Sequence, residues 1–331
     1  MSLSSKSSTT RLKVKELTVS FKVYLARTRG FCAGVERAIG VVNRALDKYG
    51  TQKVYVLHEV VHNKHVVADL AQRGAHFVEY LEEIPEPNDK VVIFSAHGVG
   101  TKTVEAAHAL GLIVIDATCP LVNRVHFKVG KASKEDKEVV IIGHDGHQEV
   151  VGTVGQYQGE SSKVHVILTP EDVNKLALSS NQAIFATQTT LSIDETALTV
   201  KALKAKYPFI EGPKQDDTCF ATQNRQAAVK ILAQECDLVL VAGSKNSSNS
   251  KRLSEVASNM GVRSYLIDDC SSITNDMLQG ATKIGVTAGA SVPEYIVQDI
   301  LKCLQERGGS EVILTGDEQV HRVFPLPDGL E

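Results

Sequence analysis

Three cysteines in this chain stand at the same kind of junction, and that recurrence limits the folds open to it. In FKVYLARTRGFCAGVERAIGVV and in IVIDATCPLVNRVH, an apolar strand pattern passes through a short turn to Cys32 and to Cys119, and a helix pattern follows at once. IEGPKQDDTCFATQNRQAAVKIL sets Cys219 before another amphipathic helix. A cysteine kept for packing would sit within the apolar run. At the carboxyl end of a strand it stands where open α/β sheets bind ligands. Three such junctions at near-equal intervals predict a triplicated unit.

Other strings repeat in the same phase. VYVLHEVVHN, VVIIGHDGHQE and LVLVAGSKNSSNS each run a strand into a polar loop, with His62, His147 and Ser247 in matching places. VVIFSAHGVG, AIFATQTTLS and KIGVTAGASVP end in small or polar residues, among them His97, Thr189 and Ser291. Helix and strand patterns alternate throughout, which predicts an α/β fold of three pseudo-symmetric domains with small parallel sheets. The boundaries fall at 34–119 for domain one, 120–215 for domain two, and 21–33 with 216–303 for domain three. A leader over 1–20 precedes them, and a tail over 304–331 is expected to wrap an outer surface. The second unit has a weak fourth strand near 209–212, and the third lacks one. The strand Lys22–Ala26 has no unit of its own, so it is expected to complete the third sheet. That closes a ring in which all three cysteines face one centre.

Composition narrows the partners. A net charge of −3 argues against a broad nucleic-acid surface, and no apolar run reaches membrane-spanning length. The first 20 residues lack a signal-peptide core, so the expected location is cytoplasmic, or a plastid-type organelle if the leader is a targeting sequence. Six cysteines without a secretion signal argue against a disulfide framework. Cys236, Cys270 and Cys303 fall outside the repeated phase and read as ordinary packing or surface thiols.

Three converging thiolates bind a metal. The absence of any C-x-x-C excludes a zinc ribbon or ferredoxin spacing. Zinc with three cysteines and a histidine, or an iron–sulfur cube with three protein ligands, both remain open. His62, His97, His147, Thr189, Thr190, Ser247, Ser248, Asn249 and Ser291 supply polar donors near strand ends. With helix N-termini, such donors can bind phosphate without a cluster of Lys and Arg. Glu149, two residues after His147, reads as a general acid beside the metal, with His147 partnering it. No G-x-G-x-x-G fingerprint is present, so electrons for a redox step would come from outside.

The strings RGFCAGVERAI, HEVVHN, FSAHGV, DATCPLV, GHDGHQEVVGT, TQTTLS, DDTCFATQNRQ, GSKNSSNS and VTAGASVP, in this order, resemble the 4-hydroxy-3-methylbut-2-enyl diphosphate reductases of the non-mevalonate isoprenoid pathway. They span residues 29–293. One departure is Gln148, where the family often has Pro. The resemblance implies one 4Fe–4S cluster per chain on Cys32, Cys119 and Cys219, with one iron left open. It implies reductive removal of the substrate hydroxyl to give isopentenyl and dimethylallyl diphosphate. By the same carry-over His62, His97, Ser247, Asn249 and Ser291 hold the diphosphate, with His147, Thr190 and Ser248 nearby. Glu149 delivers protons and Thr189 orients the hydroxyl. The expected partners are the diphosphate substrate and an external donor such as a ferredoxin or flavodoxin, with neither nucleic acid nor membrane, on a monomer or weak dimer.

Overall fold

The strands that carry the repeated strings are short and rich in Val and Ile, and the central ones are buried on both faces, as parallel strands between helices must be. The computed structural model describes residues 20–213, 217–318 and 322–330, so the leader lies outside it but for Ser20. In chain order the elements begin with β1 (Phe21–Ala26) and α1 (Ala33–Tyr49). Unit one continues with β2 (Val54–Leu57), α2 (Lys64–Gln72), β3 (His76–Val78), β4 (Val91–Phe94), α3 (Thr101–Ala109) and β5 (Ile113–Asp116). Unit two has α4 (Pro120–Lys134), β6 (Glu138–Ile142), α5 (Gln148–Val154), β7 (Val164–Ile167), α6 (Pro170–Lys175), β8 (Ala183–Thr187) and α7 (Ile193–Lys206). Unit three has α8 (Phe220–Glu235), β9 (Leu238–Ala242), α9 (Ser248–Asn259), β10 (Arg263–Ile267), α10 (Asn275–Leu278), β11 (Lys283–Ala288), α11 (Glu294–Glu306) and β12 (Gly309–Thr315).

Among the described residues all strand pairs are parallel, in three sheets ordered β3-β2-β4-β5, β7-β6-β8 and β10-β9-β11-β1-β12. In the first sheet, β2 connects outward to β3 and β4 connects the opposite way to β5. That reversal opens a crevice beyond the carboxyl ends of β2 and β4. The pairs β6/β8 and β9/β11 hold the equivalent places, so three crevices are available to one site.

β1 completes the third sheet beside β11, with Lys22 opposite Lys283 and Leu25 opposite Val286. Three expectations need correction. The third unit does not lack a further strand: Gly309–Thr315 pairs with β1 as β12 at the sheet's edge. Only beyond it does the tail wrap, crossing to unit one. There Arg37 and Lys48 donate to the carbonyls of Pro325 and Gly329, both at 2.7 Å, and Leu330 is buried in unit one's core. The weak strand near 209–212 is reduced to a single bridge from Glu211 to Ile184. The third correction concerns Cys270 and Cys303, which are not separate thiols but form a disulfide with Cα atoms 6.1 Å apart. The fold brings the turn at 270–272 onto α11, a contact between segments that no local pattern announces. Cys236 is a buried free thiol, as expected of packing.

Units one and two meet at glycines. A Cβ on Gly152 of α5 would lie 2.9 Å from the Gly98 carbonyl oxygen, closer than the packed backbones allow. The close approach brings the start of α5 beside the His97 loop. No described helix is long and apolar enough to cross a membrane.

Candidate functional site

Each cysteine is the N-cap of a long helix: Cys32 of α1, Cys119 of α4 and Cys219 of α8. Each also uses its backbone N–H in the same way, donating to the carbonyls of Ala290 (3.2 Å), Ala96 (3.1 Å) and Thr189 (3.1 Å). Those three acceptors immediately precede Ser291, His97 and Thr190. These last residues in turn sit three positions past the ends of β11, β4 and β8. The other loop of each crevice obeys its own count, with His62, His147 and Ser247 five positions past β2, β6 and β9. The phase seen in the sequence is therefore a phase in space, and in the second unit its third-position member is Thr190.

All three cysteines and all ten of the loop residues singled out from the sequence line one cavity of about 110 Å³. Helix N-termini bring partial positive charge to it, which suits an anion. The donors form a layered set. His62 stacks on His97 with ring centres 4.2 Å apart, and His147 meets both edge-on at 5.7 and 5.9 Å. Burial holds His97 well below the ordinary imidazole range and lowers His147 to about 4, with His62 adding to both effects. The His147 Nδ1 accepts the Glu149 N–H at 3.1 Å, so Nε2 carries the hydrogen in the neutral ring, and that buried nitrogen has no partner. Asn249 is similar: its Oδ1 accepts from the Ala290 N–H at 2.9 Å, and its buried Nδ2 has no partner. Thr190 donates to Ser248 at 3.1 Å, with Gln188 donating to both hydroxyls. Ser247 caps α9, and Ser291 donates to the His62 carbonyl at 3.0 Å.

Glu149 is buried in α5's first turn. Its Oε1 accepts the Thr189 N–H at 2.7 Å, and its Oε2 accepts the Thr189 hydroxyl at 3.0 Å. Burial raises its pKa to about 7 against the pull of those bonds, so a proton is held and released near neutrality.

The cysteines suit a soft metal. A Cβ on Gly34 would fall 2.7 Å from the Cys119 Sγ and 3.9 Å from the Cys32 Sγ, so only glycine leaves the thiols their space. Burial pushes Cys119 up to about 12 and raises Cys219, so these thiols ionise only against a cation. Among the described residues, no group of three or more His, Cys, Asp or Glu is placed to hold a single metal ion. The three thiols line the wall of a chamber. Three residues carry no signal in their local sequence. Arg225, fully buried, donates to the carbonyls of Gly30, Phe31 and Ala221 and so ties the Cys32 turn to α8. Glu59 and Asn246 brace His62. Glu59 and Arg225 lie within the strings HEVVHN and DDTCFATQNRQ, and Asn246 within GSKNSSNS, yet their partners lie in other units.

Residues 23–305 match the family model described as LytB protein. A protein of Colwellia psychrerythraea named 4-hydroxy-3-methylbut-2-enyl diphosphate reductase is 50% identical over 307 residues, covering 92% of this chain and 98% of that protein. One of the same name from Methylococcus capsulatus is 51% identical over 310 residues, covering 93% and 98%. The solved structure of the E-1-hydroxy-2-methyl-but-2-enyl-4-diphosphate reductase from Plasmodium falciparum superposes with a TM-score of 0.87 at 36% identity, over 94% of this chain and 97% of that one. A second solved structure, of (E)-4-hydroxy-3-methyl-but-2-enyl diphosphate reductase, gives a TM-score of 0.61 at 32% identity, over 86% and 99%.

Proposed function

Since the chain belongs to the LytB protein family, we propose that its central chamber removes the hydroxyl of (E)-4-hydroxy-3-methylbut-2-enyl diphosphate reductively. The products are isopentenyl and dimethylallyl diphosphate. The observation that carries the reading is the pair of orphaned donors, His147 Nε2 and Asn249 Nδ2, buried in the same cavity as a carboxyl titrating near neutrality. Buried donors without partners cost free energy unless a ligand satisfies them, and phosphoryl oxygens are acceptors only.

Family membership makes this an iron–sulfur enzyme, and Cys32, Cys119 and Cys219 are the residues that would hold its 4Fe–4S cluster. Bound there, the cluster would relay the two electrons that an outside donor provides and offer a Lewis-acidic iron. The remaining steps belong to side chains. His62, His97, Ser247, Asn249 and Ser291 bind the diphosphate, with His147, Thr190 and Ser248 beside them. The N-terminus of α9 adds its dipole beside these side chains. Glu149, held by Thr189, gives its proton to the leaving hydroxyl, which departs as water when the carbon–oxygen bond breaks. The carbon–oxygen bonding pair leaves with that water, the two electrons delivered by reduction remain on the allyl unit, and a second proton, drawn from solvent, at either end of it accounts for two products. The electrons come from an external carrier of the ferredoxin or flavodoxin kind.

The test is anaerobic reconstitution followed by iron, sulfide and zinc analysis, then turnover of the substrate with a chemical reductant. Protein that takes up zinc in place of iron, or iron-loaded protein that yields neither product, would sink the proposal.

A further inference from the structure

Resting on the diphosphate reading of the chamber, we infer that Glu59 is a positioning residue that prepares His62 to receive a phosphoryl oxygen, and that Asn246 holds Glu59 in place to do so.

Glu59 lies in the loop after β2, outside the set of residues that line the cavity. Its Oε2 stands 3.0 Å from His62 Nδ1 and accepts the Asn246 side-chain N–H at 2.7 Å. Asn246 belongs to unit three and immediately precedes Ser247, the cap of α9. The Ser291 hydroxyl, also from unit three, donates to the His62 carbonyl. Unit three thus holds the His62 backbone directly, through Ser291, and reaches its ring only by way of Asn246 and Glu59.

An ionised carboxylate can only accept, so the hydrogen between the two groups sits on Nδ1. That leaves Nε2 for the chamber, and it can donate to a phosphoryl oxygen only when the ring carries both hydrogens. An anion at Nε2 would place the ring between two acceptors, with Glu59 fixing the Nδ1 side. Glu59 itself stays ionised, because the hydrogen bond from His62 holds its carboxyl below the usual range and Asn246 adds to this. His97 and His147, by contrast, are buried without a carboxylate partner and are held neutral. Of the three stacked rings, His62 is therefore the one with a carboxylate set against its Nδ1.

Coulomb's law alone says that removing a carboxylate beside an anion site should tighten anion binding. Removing Glu59 should instead loosen it, because the loss passes through His62. The experiment is a double-mutant cycle on the anaerobically reconstituted holoenzyme, with inorganic diphosphate as the probe and iron content checked in each variant. Glu59→Gln should weaken diphosphate binding by about tenfold, the usual worth of a hydrogen bond to a charged group. In the His62→Gln background the same change should alter affinity by less than about twofold, since nothing remains to be positioned. Glu59→Asp, which keeps the charge, should recover part of the loss. If Glu59→Gln fails to load iron, Asn246→Ala carries the same cycle. Tighter binding in Glu59→Gln, or equal losses in both backgrounds, overturns the positioning role and leaves the chamber reading intact. Unchanged affinity in His62→Gln overturns both.

Discussion

Thr189 holds both oxygens of Glu149, one through its backbone N–H at 2.7 Å and one through its hydroxyl at 3.0 Å. The carboxyl therefore has a fixed orientation although it is buried and makes no ion pair with the described residues. Glu149→Gln keeps the shape and one of the two oxygens that accept from Thr189 but loses the acidic proton. Positioned proton transfer contributes about 10²–10⁴-fold, so turnover should fall by that range while iron content and inorganic diphosphate affinity hold. Turnover within about twofold of the parent in fully loaded protein would remove Glu149 from the mechanism.

The same carboxyl sets a pH dependence. With its pKa raised to about 7, Glu149 is protonated below neutrality and ionised above it. A group that must donate a proton loses activity as it ionises, so the rate should fall as pH rises through about 7, and this limb should vanish from the residual activity of Glu149→Gln. Stability follows the same sign. The folded chain keeps a proton that the unfolded chain, at its ordinary 4.5, gives up, so the contribution is present below 4.5 and is lost as pH rises towards 7. Chemical denaturation at pH 5.5 and 8 should show a smaller difference in Glu149→Gln than in the parent. A larger one would contradict the raised value.

How much of this was legible depended on whether a feature repeats. The three helix-capping cysteines and the paired crevice loops could be read because one local rule, a fixed offset from a buried strand, is applied three times. β1 could be placed because a strand without a unit must find an edge. β12 could not, because GSEVILT lies at that sheet's far edge, only partly buried, and its sequence lacks the buried apolar run of its neighbours. The Glu59–Asn246 and Arg225–Gly30 contacts join segments nearly 190 residues apart or more, and only the closed ring makes them. Nor could the disulfide be read, since the cysteine count argued from compartment, whereas the pairing is decided by how the turn at 270–272 lies on α11.

Gly34 is a steric test of the thiol chamber. Its missing Cβ would press on the Cys119 Sγ at 2.7 Å, so Gly34→Ala must displace a thiol or the first turn of α1. Iron content and the visible absorption of the reconstituted protein should drop severalfold. Gly40→Ala in the same helix is the control. Its Cβ would meet the Leu326 side chain at an ordinary 3.6 Å, and helix propensity should stabilise it by about 0.5–1 kcal/mol. Full iron loading in Gly34→Ala would mean that the thiols are not confined as their packing indicates.

The Cys270–Cys303 bridge should matter to stability and not to the chamber. It joins the turn at 270–272 to α11 across 33 residues, and neither cysteine lines the cavity that holds the other three thiols. A cross-link over such a loop typically contributes about 2–4 kcal/mol, chiefly by restricting the unfolded chain. Oxidised apo-protein should therefore melt several degrees above the same protein treated with a thiol reductant, and Cys270→Ser should abolish that difference. Iron loading after anaerobic reconstitution should be the same in Cys270→Ser as in the parent, because none of the groups lining the chamber is altered. Two unpaired thiols in this place would give melting temperatures indifferent to reductant. That outcome would return Cys270 and Cys303 to the role of packing residues.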